Sequence, residues 1–182
     1  IKDERKKLLA QQLEYVCKEG TDISAQDWQL FYQCYVNTYY VRGQKPYLPL
    51  AFFLEIAASM PQHLLLMLAY QAQQPVAAAL FFKDSDTLYG RYWGCLDEYN
   101  HLHFETCYYQ GIELAMELGL SHIDAGAQGE HKLVRGFEPV LTQSWHKLQP
   151  GLHEAVGDFL LRERAGVKAY REDALSYLPF RQ

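Results

Sequence analysis

The chemistry-bearing residues of this chain are concentrated in DAGAQGEHKLVRGFEP, residues 124 to 139. Asp124, Glu130, His131, Lys132 and Arg135 share that stretch with Gly126, Gly129 and Gly136 and with few aliphatic side chains. It is too charged for a core and too rich in glycine for an ordinary surface helix. The mixture suits acid–base work and the binding of an anionic group. Glu130 or His131 has the chemistry of a base. Lys132 or Arg135 can hold an oxyanion, a phosphate or a carboxylate, which makes Glu130, His131 and Lys132 the candidate catalytic residues. Gly126, Gly129 and Gly136 allow close backbone approach to a ligand. Asp124 ends a short strand, where it can meet substrate or cap the following loop. A solvated salt-bridge loop explains Glu130, Lys132 and Arg135 on composition alone.

A second group lies in HLHFETC, residues 101 to 107. His103 and Cys107 are four apart and share a helix face, with Cys95 not far upstream. There is no CxxC or HxxxH pairing, so no metal site is expected. The better reading puts His103 and Glu105 at the cleft end of a helix, with Cys107 in its core. Tyr92 and Trp93 end a strand beside the same cleft. They can stack on a substrate or serve as aromatic core. GAQG lacks the third glycine and the helix of a dinucleotide fingerprint.

The elements that must position these residues follow from periodicity. A helix is expected over Asp3 to Glu19, on the stripe Leu8, Leu9, Leu13, Val16 and Cys17. A second helix starts at a capping box, Ser24 to Asp27, and a short third helix is stopped by Pro61. HLLLMLAY, PVAAALFFK and TLYGRYWG then read as an antiparallel meander over residues 63 to 93. The helix Leu102 to Leu118 crosses over to a strand at 121 to 125, parallel to the third strand of the meander. LTQSWHKL reads as a further strand, and a last helix begins near Leu152. The expected organisation is a single α/β domain over 1–182. It has leading helices at 1–60, a mixed sheet with its crossover helix at 61–150, and a C-terminal helix at 151–182.

Composition narrows the classes. Of 182 residues 49% are hydrophobic and 21% charged, which supports a folded core. The net charge of −5 argues against general nucleic-acid binding. No apolar run is long enough to span a bilayer. No secretory signal pattern is visible, and the four scattered cysteines fit reduced thiols, so a cytoplasmic location is expected. The chain begins at Ile1 rather than Met, which reads as a fragment of a longer protein.

The element order resembles the GNAT acyltransferase fold. More specifically, YGRYWG, LHFETCYYQGIE and GAQGEHKLVRGF look like the bacterial FemAB-like family of peptidoglycan biosynthesis or recognition, over essentially the whole chain. The resemblance implies the C-terminal half of such a protein, with a missing N-terminal half as partner. IDAGAQGEHKLVRGF is also similar to the FKRGFG-type element of Fem aminoacyl transferases, with Lys132, Arg135, Gly136 and Phe137 on the motif. Glu130 and His131 depart from it.

The chain also lacks the glycine-rich pyrophosphate loop of ordinary GNAT enzymes, reading GCLDEYNHLH there instead. The resemblance implies acyl or aminoacyl transfer to an amine, such as a cell-wall precursor or other small molecule. It implies acyl-CoA or aminoacyl-tRNA as donor, no permanently bound cofactor and no metal. Substrate contacts are expected at Asp124, Gly126, Gly129, Arg135, Tyr92, Trp93 and His103. A non-catalytic recognition module on the same fold, and a homo-oligomer, remain the competing readings.

Overall fold

Strand β2 (Leu64–Gln71) dictates the layering, because its first six residues are all buried. Leu64, Leu66 and Leu68 face one core cluster, while Leu65 and Met67 face another. A strand buried on both faces needs cover above and below and a hydrogen-bonding partner on each edge. The edges are taken by β1 (Leu13–Glu19) and β3 (Gln74–Lys83), both antiparallel to β2. β4 (Thr87–Cys95) continues the meander, and β5 (His122–Asp124) pairs parallel to β4. The five strands lie in the order β1-β2-β3-β4-β5. This is the GNAT-like mixed sheet expected from the sequence, with its meander and its parallel crossover strand in the expected places.

The computed structural model describes residues 2–127, 129–149 and 151–179. Two compact units divide the chain, Ile1–Gly126 and Ala127–Gln182. The first contains the sheet, α1 (Lys2–Leu9), α2 (Ala25–Val41) and α3 (Leu50–Ser59). The crossover helix belongs to it too, running as α4 (Leu102–Phe104), a π turn (Glu105–Tyr109) and α5 (Gln110–Glu117). The second unit holds a 3-10 helix (Glu130–Arg135) and α6 (His153–Leu175).

Helix α2 starts at the expected capping box, with the Ser24 hydroxyl accepting from the Asp27 N–H and the Asp27 carboxylate accepting from the Ser24 N–H. Lys18 of β1 donates to the same carboxylate at 2.7 Å, tying helix to sheet. Burial alone would raise the Asp27 pKa, but Lys18 and Ser24 outweigh it and hold the carboxyl below its usual range. One face of α2 packs an aromatic cluster in which Phe31 and Tyr35 lie against Phe53 of α3 at 5.0 and 5.2 Å.

Two expectations are corrected. Residues 3 to 19 are not one helix, and the leading segment is not all helical: α1 ends at Leu9 and β1 begins at Leu13. Gln12, at φ 53, turns the chain between them. Burial alternates from Leu13 to Val16 instead, Leu13 and Tyr15 facing inward and Val16 outward, and Cys17 is exposed too. The side chains of Leu8 and Leu9 lie outside the described residues. β2 supplies the reason, since its buried edge must be paired. LTQSWHKL is not a strand: residues 137–149 carry no regular structure, and Trp145 is 90% exposed. An alternating pattern becomes a strand only where a ladder partner receives it, and this segment has none among the described residues.

Candidate functional site

β4 and β5 run together for only three residue pairs, Thr87 with His122, Leu88 with Ile123 and Tyr89 with Asp124. Beyond Tyr89 the strand β4 continues alone on that edge to Cys95, so the sheet opens into a splay. At its mouth β4 carries a bulge: Leu80 pairs with Tyr92 and Phe81 with Gly90, leaving Arg91 as the extra residue. Bulges re-aim side chains and free backbone groups, often beside active sites.

Farther along, α2 presses directly on β4. A Cβ at Gly94 would stand 1.9 Å from the Cys34 carbonyl oxygen. That contact lets Thr38 donate to the Trp93 carbonyl at 3.1 Å and Asn37 to the Cys95 carbonyl at 2.7 Å. Because the Leu96 N–H bonds back to Val76 of β3, alternation turns the Trp93 and Cys95 carbonyls toward the open edge.

Two cavities meet at this edge. One of about 100 Å³ lies in the splay itself, with Arg91, Tyr92, Asp124 and Tyr108 in its walls. The other, about 710 Å³, lies between the end of α2 and the start of α4, with Asn37, Thr38, Arg42 and Tyr99 in its walls. Trp93 and His103 line both, and their rings stand 5.1 Å apart. Tyr108 lies 5.4 Å from the His103 ring. Tyr92 points the other way, 5.5 Å from Tyr35 and beneath the Arg91 guanidinium at 4.8 Å. Burial and its contact with Tyr47 push the Tyr92 hydroxyl up to about 12.

The splay therefore gathers Trp93, His103 and Asp124 from the sequence-derived set, while Tyr92 lies in its wall with its ring turned to the aromatic core. Asp124 also accepts the Gly126 N–H at 2.7 Å, closing the turn that leaves the sheet. Gly126, at φ 79, passes the Gly90 carbonyl, an imagined Cβ lying 3.8 Å from that oxygen. Its close approach is to β4.

Gly129, Glu130, His131, Lys132 and Arg135 belong to the second unit, grouped on the 3-10 helix and its start. A Cβ on Gly129 would meet the His131 ring at 2.5 Å, so the imidazole folds over its own loop. Burial, then Arg135 and Lys132, lower the His131 pKa and favour the neutral, base-competent ring. Lys132 donates to the Ala127 carbonyl at 3.2 Å, and the buried Arg135 donates to the His131 carbonyl at 2.7 Å. Gly136, at φ 90, closes the helix in the left-handed region.

Sequence reasoning missed Arg91, Asn37, Thr38 and Tyr108. The first had a signal, because glycines at 90 and 94 inside a strand mark a bulge or a close backbone approach. Glu105 was placed at the cleft end of its helix; it is instead buried and paired with Arg5 at 2.8 Å. No group of three or more His, Cys, Asp or Glu among the described residues could hold a metal. No described helix is long and apolar enough to cross a membrane.

Among families of known proteins, the FemAB-like family, described as peptidoglycan biosynthesis/recognition, matches residues 1–182. No curated protein matches in sequence. Solved structures with the same fold include the aminoglycoside N-acetyltransferase AAC(6')-Iy in complex with CoA, at 10% identity and a TM-score of 0.52, covering 75% of this chain and 95% of that one. A possible acetyltransferase from Clostridium difficile 630 matches at 8% identity and a TM-score of 0.54, covering 75% and 98%. An aminoglycoside acetyltransferase from an uncultured soil metagenomic sample, in complex with sisomicin, matches at 8% and 0.52, covering 75% and 97%.

Proposed function

The chain belongs to the FemAB-like family, and from that premise we propose that it transfers an acyl or aminoacyl group to an amine at the splay between β4 and β5. The observation that carries the reading is the splay itself: a strand edge that opens at a bulge and is lined by Arg91, His103, Tyr108 and Asp124. The amine nitrogen attacks the acyl carbonyl carbon, and the bond to the donor's sulfur or oxygen breaks. His103, on the wall shared by both cavities, takes the ammonium proton. Tyr108 gives its proton to the leaving group and regains one from the nitrogen of the tetrahedral intermediate, and the backbone freed at Arg91 faces the developing oxyanion. Within the second unit, Glu130, His131 and Lys132 form a separate group suited to acid–base and anion work, with neutral His131 as its proton acceptor.

The donor end does not match a coenzyme A diphosphate. The loop from Leu96 to His101, LDEYNH, carries Asp97 and Glu98 and no glycine, lysine or arginine. Both carboxylates raise the Cys95 pKa after burial does, so their field is felt in the larger cavity that Cys95 lines. A diphosphate would meet the like charge of Asp97 and Glu98 there, offset in part by Arg42 in the same wall. CoA-bound neighbours share the fold with this chain. Aminoacyl esters and other donors without a diphosphate at this point fit the residues better.

The test incubates the protein with acetyl-CoA or aminoacyl-tRNA and a panel of amines, including amino sugars and muramyl peptides, and detects products by mass spectrometry. Transfer that is lost in His103→Gln at unchanged melting temperature supports the reading. Wild-type protein that binds an acceptor without transferring any acyl group favours the recognition-module alternative.

A further inference from the structure

Glu105 takes no part in the chemistry proposed above, yet it is a carboxylate only 4% exposed. It accepts from the Arg5 Nη2 at 2.8 Å and Nε at 3.2 Å, and from Gln110 at 2.8 Å. Arg5 also reaches Glu113 at 2.5 Å. Next to it, the Tyr109 hydroxyl donates to Glu4, and the Arg5 guanidinium lies 5.7 Å from the Tyr109 ring. Arg5 and Glu4 both belong to α1, a hydrophilic helix of eight residues. A helix this short does not persist alone in water. Its order depends on this docking.

Glu105 also begins the π turn. The Gln110 N–H bonds to the Glu105 carbonyl, five residues back. The same short segment presents His103, Cys107 and Tyr108 to the splay cavity, while Glu105 and Tyr109 face α1. The extra residue of a π turn lets both sets be satisfied together. Such turns are rare and are kept where their surroundings hold them.

We propose that Arg5 is a positioning residue for the cleft: through Glu105 it holds the π turn that aims His103 and Tyr108 into the splay between β4 and β5. Its functional meaning rests on the acyl-transfer reading, but its structural content does not. Without Arg5 the buried Glu105 carboxylate has lost its cation and is relieved only if the turn opens to water. If Glu105 is neutralised as well, the drive to open is gone.

The reporter is Cys107, a reduced, half-buried thiol in the cavity wall. Its alkylation by iodoacetamide is followed by peptide mass spectrometry, beside the melting temperature, in wild type, Arg5→Met, Arg5→Lys and Arg5→Met/Glu105→Gln. Arg5→Met should raise the Cys107 rate by about tenfold or more, because breaking a buried pair leaves an uncompensated charge. Arg5→Lys should restore most of the protection, and the double variant should return to within about threefold of wild type. Rates within about twofold of wild type in Arg5→Met, or rates that merely follow melting temperature across the set, overturn the proposal.

Should Arg5→Met not fold, hydrogen exchange in the wild type decides. Amides of α1 and of residues 105–110 should share one opening below global unfolding. Independent opening of α1, with 105–110 exchanging only on global unfolding, overturns it. If Arg5→Met opens Cys107 while the wild type transfers no acyl group, the positioning contact stands and the transfer reading fails.

Discussion

Replacing Gly94 by alanine should unseat α2 from β4. The added Cβ would stand 1.9 Å from the Cys34 oxygen, 2.3 Å from its carbonyl carbon and 2.7 Å from the Thr38 hydroxyl. Two of those atoms are backbone in the middle of a helix, so no side-chain rotation relieves the clash. The helix must retreat, and the bonds from Thr38 to Trp93 and from Asn37 to Cys95 lengthen with it. Overpacking of this kind costs about 1–3 kcal/mol, and each lost hydrogen bond about 1 kcal/mol. The expected loss is about 3–5 kcal/mol, a large share of the roughly 5–15 kcal/mol that holds a domain together. In a chain of this size that lowers the melting temperature by roughly 6–20 °C. Urea titration and a thermal melt measure it. Gly90→Ala is the control, because its Cβ would come no closer than 3.6 Å to any neighbour; its cost should stay under about 1 kcal/mol. A Gly94→Ala variant as stable as that control would refute the close contact and the capped strand edge derived from it.

Other outcomes follow from the same structure. Gln73, at φ 66 in the β2–β3 turn, sits where glycine is unstrained. Gln73→Gly should raise the urea midpoint by the equivalent of about 0.5–1 kcal/mol, the left-handed cost relieved less the extra chain entropy of glycine. The folded-state pKa of Asp27 is depressed, so its contribution is present above the ordinary carboxylate range and lost as pH falls through the folded value. Asp27→Asn should flatten the acid limb of a stability–pH profile, and an unchanged limb would show that Lys18 and Ser24 do not hold the charge. Arg135→Ala should destabilise by about 1.5–3 kcal/mol, since a buried guanidinium bond to the His131 carbonyl is lost. Lys132→Ala should leave the melting temperature nearly unchanged, and any fall in acceptor binding or turnover then reports on substrate.

The sheet was legible in the sequence because its central strands are extreme. HLLLMLAY and PVAAALFFK are too short for buried helices at that spacing and are separated by turn-sized gaps. The crossover helix announced itself by its apolar side and Gly119. β1 was harder to read, since Leu8, Leu9, Leu13, Val16 and Cys17 fit a helical stripe as well as two elements joined at Gln12. Only the need of β2 for an edge partner decides between them, and that is a tertiary fact. The cleft was half legible. Tyr92, Trp93, His103 and Asp124 could be placed near one another from the ends of the elements that carry them. Arg91 reaches the splay through a bulge, and Thr38 and Asn37 through a glycine contact 50 or more residues distant in sequence, which no local pattern encodes. Arg135 stood out by its charge, but the bond it donates to its own loop could be seen only in three dimensions.

The claim that the splay between β4 and β5 is the site of acyl transfer is tested most directly by mapping backbone amide resonances while a donor is titrated in. Acetyl-CoA and an aminoacylated tRNA acceptor-stem minihelix serve as the two donor probes, each with its deacylated form as control. The account predicts shifts concentrated at Gly90 to Trp93, at His103 and at Asp124 to Gly126. The largest should depend on the acyl group and vanish with the deacylated control. Acyl-dependent shifts elsewhere, with β4 and the start of the crossover helix silent, would contradict it.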